Sequence, residues 1–330
     1  MFIDVHNHVM SRETLDLLAS EPSYGVTVDN DEWRGVHHVP FPIVASFYDP
    51  AARMRQMEEG GVDAAVISAP PPLFFYDVPT DAALRLCEVA NEGMAKYCQH
   101  RPDRLRWLAT LPMQDPDRAV ELYRGAMSAG CVGAAIGTSI HGRRLDEPEF
   151  ERFWATAEEL GRPVLIHPAF NEAHAALAPY YLQNVIGNPL ETTVMVERMI
   201  CAGVFQRHPG IRLVLLHGGG YLPYQAGRLQ HARGVRPELS DCPTDIWGTF
   251  KQLYFDTITH DVEALRYMLS RVGIANVVLG TDMPYDMAMQ TPLATLREAF
   301  DEATIQRIAA ENPAGLFGPF GEEAGGSAQR

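Results

Sequence analysis

Residues 149–167 read EFERFWATAEELGRPVLIH. Glu149–Leu160 has helical patterning and Gly161 stops it. After a short turn, Val164–His167 is a brief apolar run of the kind that forms a buried strand. The same alternation recurs on both sides of this stretch. Apolar runs stand at Phe2–His6, Ala64–Ser68, Leu105–Leu111 and Val132–Gly137 before it, and at Leu213–His217, Leu253–Thr257 and Asn276–Gly280 after it. Helical segments separate them. Asp49–Glu59 has Asp49 as N-cap, Pro50 at the first helical position and Gly60-Gly61 as its stop. Asp115–Ala129 repeats this with Asp115, Pro116 and Gly130, and Asp261–Val272 ends at Gly273. Near-continuous apolar strands indicate a parallel sheet covered on both faces. Eight of them alternating with helices predict an α/β protein, a closed (β/α)8 TIM-like barrel.

Two stretches break the rhythm. Residues 11–48 follow strand one and hold Pro22, Gly25, Gly35, Pro40 and Pro42. They read as an insertion, a lid over the barrel mouth. Residues 171–195 are similarly long for a β-to-α loop. The expected organisation is one barrel domain over 1–317 and a flexible Gly-, Glu- and Ala-rich tail over 318–330.

With 46% hydrophobic residues among 330, the chain has ample material for a core and too much for disorder. Its net charge of −15 comes without any basic run, which argues against a nucleic-acid partner. An anionic substrate would need a local basic pocket against that field. No stretch approaches the ~20 apolar residues of a membrane span. Met1–His6 lacks the features of a signal peptide. Cys87, Cys98, Cys131, Cys201 and Cys242 are scattered and form no CxxC pair, so reduced thiols in a cytoplasmic protein are expected.

In such barrels the active site lies at the C-terminal ends of the strands. Strand one ends in His6-Asn7-His8, strand five in His167, strand six in His217, and strand eight in Gly280-Thr281-Asp282. Side chains two apart on a strand share a face, so His6 and His8 both enter the barrel. Imidazole suits zinc and other borderline divalent cations, and a carboxylate compensates charge. His-x-His alone is a weak signal; four strands delivering such groups to one rim make a metal centre. The chain has only two lysines, Lys96 and Lys251, and strand four ends in Thr138, which disfavours a carbamylated-lysine two-metal site and predicts one ion. Gly218-Gly219-Gly220 matches no nucleotide cradle and reads as room for close backbone approach beside His217. His100, His208 and His231 read as surface or core residues. His141 and His260 follow the ends of strands four and seven, which leaves a pocket role open to them, and the ordinary reading is preferred. His37 and His38 in the insertion are secondary candidates, and His174 sits in the long fifth loop.

The motifs DVHNH, LIHP, LLHGGG and LGTDMP, in this order, resemble the amidohydrolase superfamily. More closely, the chain resembles the 2-amino-3-carboxymuconate-6-semialdehyde decarboxylase-like family, through YDPAARMRQMEEGGV, LATLPMQDPDRAV, NPLETT, AGVF and AGRLQHARGVRPEL. The likeness runs from Met1 to about Leu316. It implies that His6, His8, His167 and Asp282 ligate one divalent metal, Zn2+ first and Mn2+ second. It implies that His217 is the acid–base residue beside the metal-bound water, with Asp282 sharing in proton handling. Arg53 would pair with a substrate carboxylate. Arg228 would reach a neighbouring subunit's site, which implies a homodimer. The chain departs from the family where a Trp usually follows the strand-five His-Pro: here the run is His167-Pro168-Ala169-Phe170-Asn171, making Phe170 a substrate-contact candidate. It departs again at Asp77, where an aromatic is expected.

The activity implied is non-oxidative decarboxylation of an unsaturated or aromatic carboxylic acid. The alternative on the same centre is metal-dependent hydrolysis of a lactone, amide or imine. A structural metal in a binding module is the non-enzymatic reading, and the spare His217 beside the ligands argues against it.

Overall fold

Strand one runs further than its apolar stretch. In the computed structural model, which describes residues 1–29, 32–35, 40–169 and 175–321, β1 spans Ile3–His8 and every residue in it is buried. The barrel continues through β2 (Ala64–Ser68), β3 (Leu105–Trp107, resumed at Ala109–Thr110), β4 (Ala134–Gly137), β5 (Val164–His167), β6 (Leu213–Leu215), β7 (Leu253–Asp256) and β8 (Val277–Val278). All neighbouring pairs are parallel. The first part of β3 pairs with β2 and the second with β4, which joins the two sheets. The ring closes through the chain after β8: Val5 N donates to Leu279 O at 2.9 Å and His8 N to Met283 O at 2.8 Å.

The helices form where caps and stops direct them. Those of nine residues or more are α1 (Arg12–Ser20), α2 (Pro50–Gly60), α3 (Thr80–Cys98), α4 (Pro116–Ser128), α5 (Glu151–Leu160), α6 (Asn188–Cys201), α7 (Leu222–Val235) and α8 (Val262–Val272). Asp49, Asp115 and Asp261 each accept a hydrogen bond from a first-turn amide of α2, α4 and α8, a contact typically worth about 1 kcal/mol. Gly61 and Gly161 end α2 and α5 in the left-handed conformation, with φ of 72° and 61°. α5 starts two residues later than its sequence pattern, because Pro148–Phe150 forms a separate 3-10 turn.

Below the rim the strands are apolar and packed away from solvent. Val5, Val66, Ile136, Ile166, Leu215, Phe255 and Val278 are all wholly buried. Burying each such side chain contributes about 1.5–3 kcal/mol. The 11–48 stretch holds α1 and a three-stranded antiparallel sheet of Thr27–Asp29, Glu32–Arg34 and Phe41–Pro42. Among the described residues, no helix is long and apolar enough to cross a membrane.

Candidate active site

β1 supplies two imidazoles to one face, as its period of two requires. His6 and His8 are wholly buried, and β5 ends in His167, which is buried beside them. Asp282 comes from the turn after β8, held by its amide donating to His6 O at 2.7 Å. Its neighbour Thr281 donates from Oγ1 to Asp4 Oδ2 at 2.6 Å. One ligand atom from each of His6, His8, His167 and Asp282 lies within 4.8 Å of all the others. The imidazole centroids of His6, His8 and His167 are 5.1–5.2 Å apart.

The far side of each ring shows which nitrogen is free. His6 Nδ1 lies 2.7 Å from Asp256 Oδ2 and His167 Nδ1 lies 2.6 Å from Pro168 O. A carboxylate and a carbonyl only accept, so both rings carry the proton on Nδ1. Ser68 Oγ donates to Asn7 O and leaves a lone pair for His8 Nδ1 at 3.3 Å. The Nε2 atoms are thereby presented to the cluster. Those of His6 and His167 are buried and have no hydrogen-bond partner. Buried nitrogens of this kind call for one. Three imidazole Nε2 atoms with oriented far sides and one carboxylate make a donor set that fits a single divalent ion.

The electrostatics agree with that fit. Burial, then the neighbouring histidines, holds His167 well below its ordinary value, and burial lowers His8 to about 4. Burial opposes the charged form of His6 too, but Asp282 and Asp256 outweigh it and raise that ring to about 10. Asp282 stays ionised: burial would raise it, yet His6, His217 and His8 together keep it well below the carboxylate range. An ionised Asp282, set beside His8 and His167 that resist protonation and a His6 that two carboxylates draw toward positive charge, is a setting suited to a cation.

His217 stands beside this cluster rather than in it. Its Nε2 is 3.6 Å from Asp282 Oδ2, and its ring is 5.2–5.3 Å from those of His6 and His167. β6 stops at Leu215, short of His217, because His217 adopts φ 54° and leaves the extended conformation. Gly218, Gly219 and Gly220 follow with φ of 63°, 73° and 65°. A Cβ on Gly219 would come within 2.4 Å of the Phe255 ring, so the glycine permits both the turn and the close packing. Asp282 and His260 also have positive φ, 63° and 55°, so three rim residues hold backbone conformations that cost energy and persist where packing enforces them.

The cluster opens into a cavity with two compartments. The larger, about 610 Å3, runs from His217 and Asp282 past Asn184 and Asn188 to His260, Tyr224 and Tyr267. The smaller, about 150 Å3, is walled by Phe41, Pro71, Pro72, Tyr181, Tyr285 and Asp286 and also reaches His167. Burial, then Asp282, raises the Tyr285 hydroxyl well above its ordinary value, so it remains a neutral phenol. Among the described lining residues there is no Lys or Arg.

The structure thus brings together His6, His8, His167, His217 and Asp282. It does not bring Arg53 to them as a cavity residue. Arg53 is 1% exposed, and its guanidinium donates to the carbonyl of His8 beneath the cluster, with Tyr97 beside it. That contact ties α2 to the backbone of β1. Arg228 is exposed on α7. Asp77 is exposed and does not line the cavity, while Tyr76 turns inward to accept from Gly137 N at 3.0 Å. Phe170, His37, His38 and His174 lie outside the described residues. His260, for which the sequence leaves a pocket role open as the less favoured reading, lines the larger compartment. The sequence reading does not single out Asp256, Asn184, Asn188 or Tyr285. Asp256 carried a usable signal: it is an acidic residue ending an apolar strand, on the same rim as His167.

Comparison with known proteins accords with this geometry. The chain is 30% identical to the 2-amino-3-carboxymuconate-6-semialdehyde decarboxylase of Dictyostelium discoideum, over 96% of this chain and 91% of that protein. The crystal structure of 5-carboxyvanillate decarboxylase from Sphingomonas paucimobilis superposes with a TM-score of 0.81 at 25% identity, covering 96% of this chain and 98% of the other. A dihydroxybenzoic acid decarboxylase from Polaromonas, crystallised with bound manganese, gives a TM-score of 0.79 at 24% identity over 96% of each chain. The amidohydrolase family model matches residues 3–318. That span begins on the first residue of β1 and ends one residue past the helix Asn312–Phe317, so it takes in the whole barrel, and the chain belongs to the amidohydrolase family.

Proposed function

We propose that this chain is a metal-dependent, non-oxidative decarboxylase of an unsaturated or aromatic carboxylic acid. His6, His8, His167 and Asp282 hold one divalent ion, Zn2+ in our reading with Mn2+ as the alternative. His217 is the acid–base residue. The observation that carries this is the convergence of the buried Nε2 atoms of His6, His8 and His167 on an ionised Asp282, with those of His6 and His8 at 3.2 and 3.0 Å from its Oδ1, at the mouth of a barrel whose relatives are named decarboxylases. The manganese in the Polaromonas structure supports a divalent ion and keeps Mn2+ open.

A divalent ion held there supplies a Lewis acid that fixes and polarises a substrate oxygen. The residues of the chain do the rest. His217 Nε2, beside Asp282 and open to the cavity, holds a proton and delivers it to the carbon that bears the carboxylate. The bond from that carbon to the carboxylate then breaks, its electron pair returns to the unsaturated system, and CO2 leaves. Phe41 and Tyr285, whose rings stand 5.3 Å apart, offer apolar walls to a flat substrate. Asn184 and Asn188 line both compartments, and in this reading their amides orient its oxygens.

We read residues 1–317 as one functional unit, with Pro40, Phe41 and Pro42 of the insertion forming part of the cavity wall. In the homodimer of this reading, Arg228 supplies to the neighbouring site the cation that the described lining lacks. The exposure of Tyr224 at 74% on α7, one turn before Arg228, supports a partner on that face. The test is CO2 release from a panel of hydroxybenzoic and unsaturated acids by protein loaded with Zn2+ or Mn2+. Release in step with substrate loss is expected. Turnover of a lactone, amide or imine without CO2 would replace this reading with the hydrolase one.

A further inference from the structure

We infer that Asp256 is a positioning residue that sets the metal centre and the His217 turn together, one carboxylate oxygen for each. This rests on the reading of His6, His8, His167 and Asp282 as a metal centre. Asp256 ends β7, is wholly buried, and uses both oxygens. Oδ2 accepts from His6 Nδ1 at 2.7 Å. Oδ1 accepts from Gly218 N at 2.7 Å and from Ile258 N at 3.1 Å.

The first contact fixes a tautomer. A carboxylate oxygen cannot donate, so the proton shared with it belongs to Nδ1, and Nε2 is the nitrogen left to bind an ion at the cluster. The second contact fixes a backbone. Gly218 is the residue after His217 and sits in the run of left-handed residues that swings the imidazole to the rim. A hydrogen bond to its amide from a buried acceptor holds that turn where its own conformation is unfavourable. The packing around Asp256 keeps the pair close. A Cβ on Gly280 would lie 2.9 Å from the Cβ of Asp256 and 2.9 Å from the Cβ of His6, so glycine is what lets β7, β8 and β1 approach here. A ligand and the acid–base residue therefore share one support.

Asp256→Asn separates the two contacts. The amides of Gly218 and Ile258 keep the remaining oxygen on their side, which turns the new NH2 group toward His6 Nδ1. That nitrogen must then accept, its proton moves to Nε2, and Nε2 has no free lone pair. In Asp256→Ala both contacts are lost. The experiment titrates metal-free protein with Zn2+ and with Mn2+ by calorimetry, and follows amide hydrogen exchange of residues 216–221 by mass spectrometry. Asp256→Asn is expected to weaken metal binding about 10- to 100-fold while exchange of 216–221 stays as in the native chain. Asp256→Ala is expected to weaken binding as much and to speed that exchange at least about tenfold. Binding by the Asn variant within twofold of native overturns the tautomer role. Unchanged exchange in the Ala variant overturns the role at the turn. If the variants do not fold, long-range 1H–15N spectra of the Zn2+-loaded native chain decide: the His6 proton is expected on Nδ1, and a proton on Nε2 overturns the inference. A native chain that takes up neither ion overturns the metal-centre reading itself.

Discussion

His217 and the four donors around it divide the work, and single substitutions should separate their parts. Replacing His217 with Ala removes a general acid–base group and should lower kcat by about 10^2 to 10^4 with metal content unchanged; turnover at the native rate would contradict its role. His167→Ala should instead lose the metal, read as fewer than one ion per chain by elemental analysis. Protonation of the metal-free cluster gives a pH signature. His8 is lowered from its ordinary 6.5 to about 4, so the unfolded chain binds that proton more readily than the folded one. Its contribution to stability is full above 6.5 and is lost as pH falls toward 4, and the depressed Asp282 adds to the loss at still lower pH. The melting temperature of metal-free protein should therefore fall across that window, as followed by circular dichroism at stepped pH. The residues of this cluster were legible in the sequence, because a strand-terminal histidine states its own position. Arg53 was not: its helix was legible, but which way a buried guanidinium turns depends on the packing of that helix against β1.

At the scale of elements, the strands and caps were read well because each is a local matter of apolar run, Asp, Pro and Gly. Strand ends were read less well. β6 looks as though it should continue to His217, since LVLLH is apolar to its end, but the left-handed backbone at His217 belongs to the turn that follows. Gly219 is the element-scale test of that turn. Gly219→Ala puts a Cβ both at φ 73° and 2.4 Å from the Phe255 ring, and should cost activity through the displaced His217 more than through lost folding. The check is a fall in kcat of at least about tenfold with a melting temperature reduced by a few degrees. Ile166→Ala offers the contrasting case. It empties a wholly buried site in β5 and should cost about 2–5 kcal/mol in urea unfolding. Asn184 and Asn188 had no signal in the sequence. They precede and open α6, and only its placement across the mouth turns them to the cavity.

Across the whole molecule, the cavity mouth carries aromatic surface and no described Lys or Arg, in a chain of net charge −15. Electrostatics alone would repel an acid. A bound divalent ion and a partner's Arg228 would reverse that locally, and the second can be tested by complementation. Arg228→Ala and His217→Ala chains should each be nearly inactive, and mixing them under subunit exchange should restore about a quarter of native activity, since each mixed dimer holds one intact site. No recovery on mixing would place Arg228 outside the site. The barrel order was legible from the sequence because eight strand-and-helix units admit few topologies. The substrate was not, because the cavity wall is assembled from the insertion, the loop after β5 and the start of α6, none of which is periodic. The most direct test of the whole account is the ratio of CO2 released to acid consumed by the metal-loaded chain. A ratio of about one is expected, with turnover abolished by chelation and restored by adding back Zn2+ or Mn2+. Acid consumed without CO2, or CO2 released equally by the chelated chain, would contradict it.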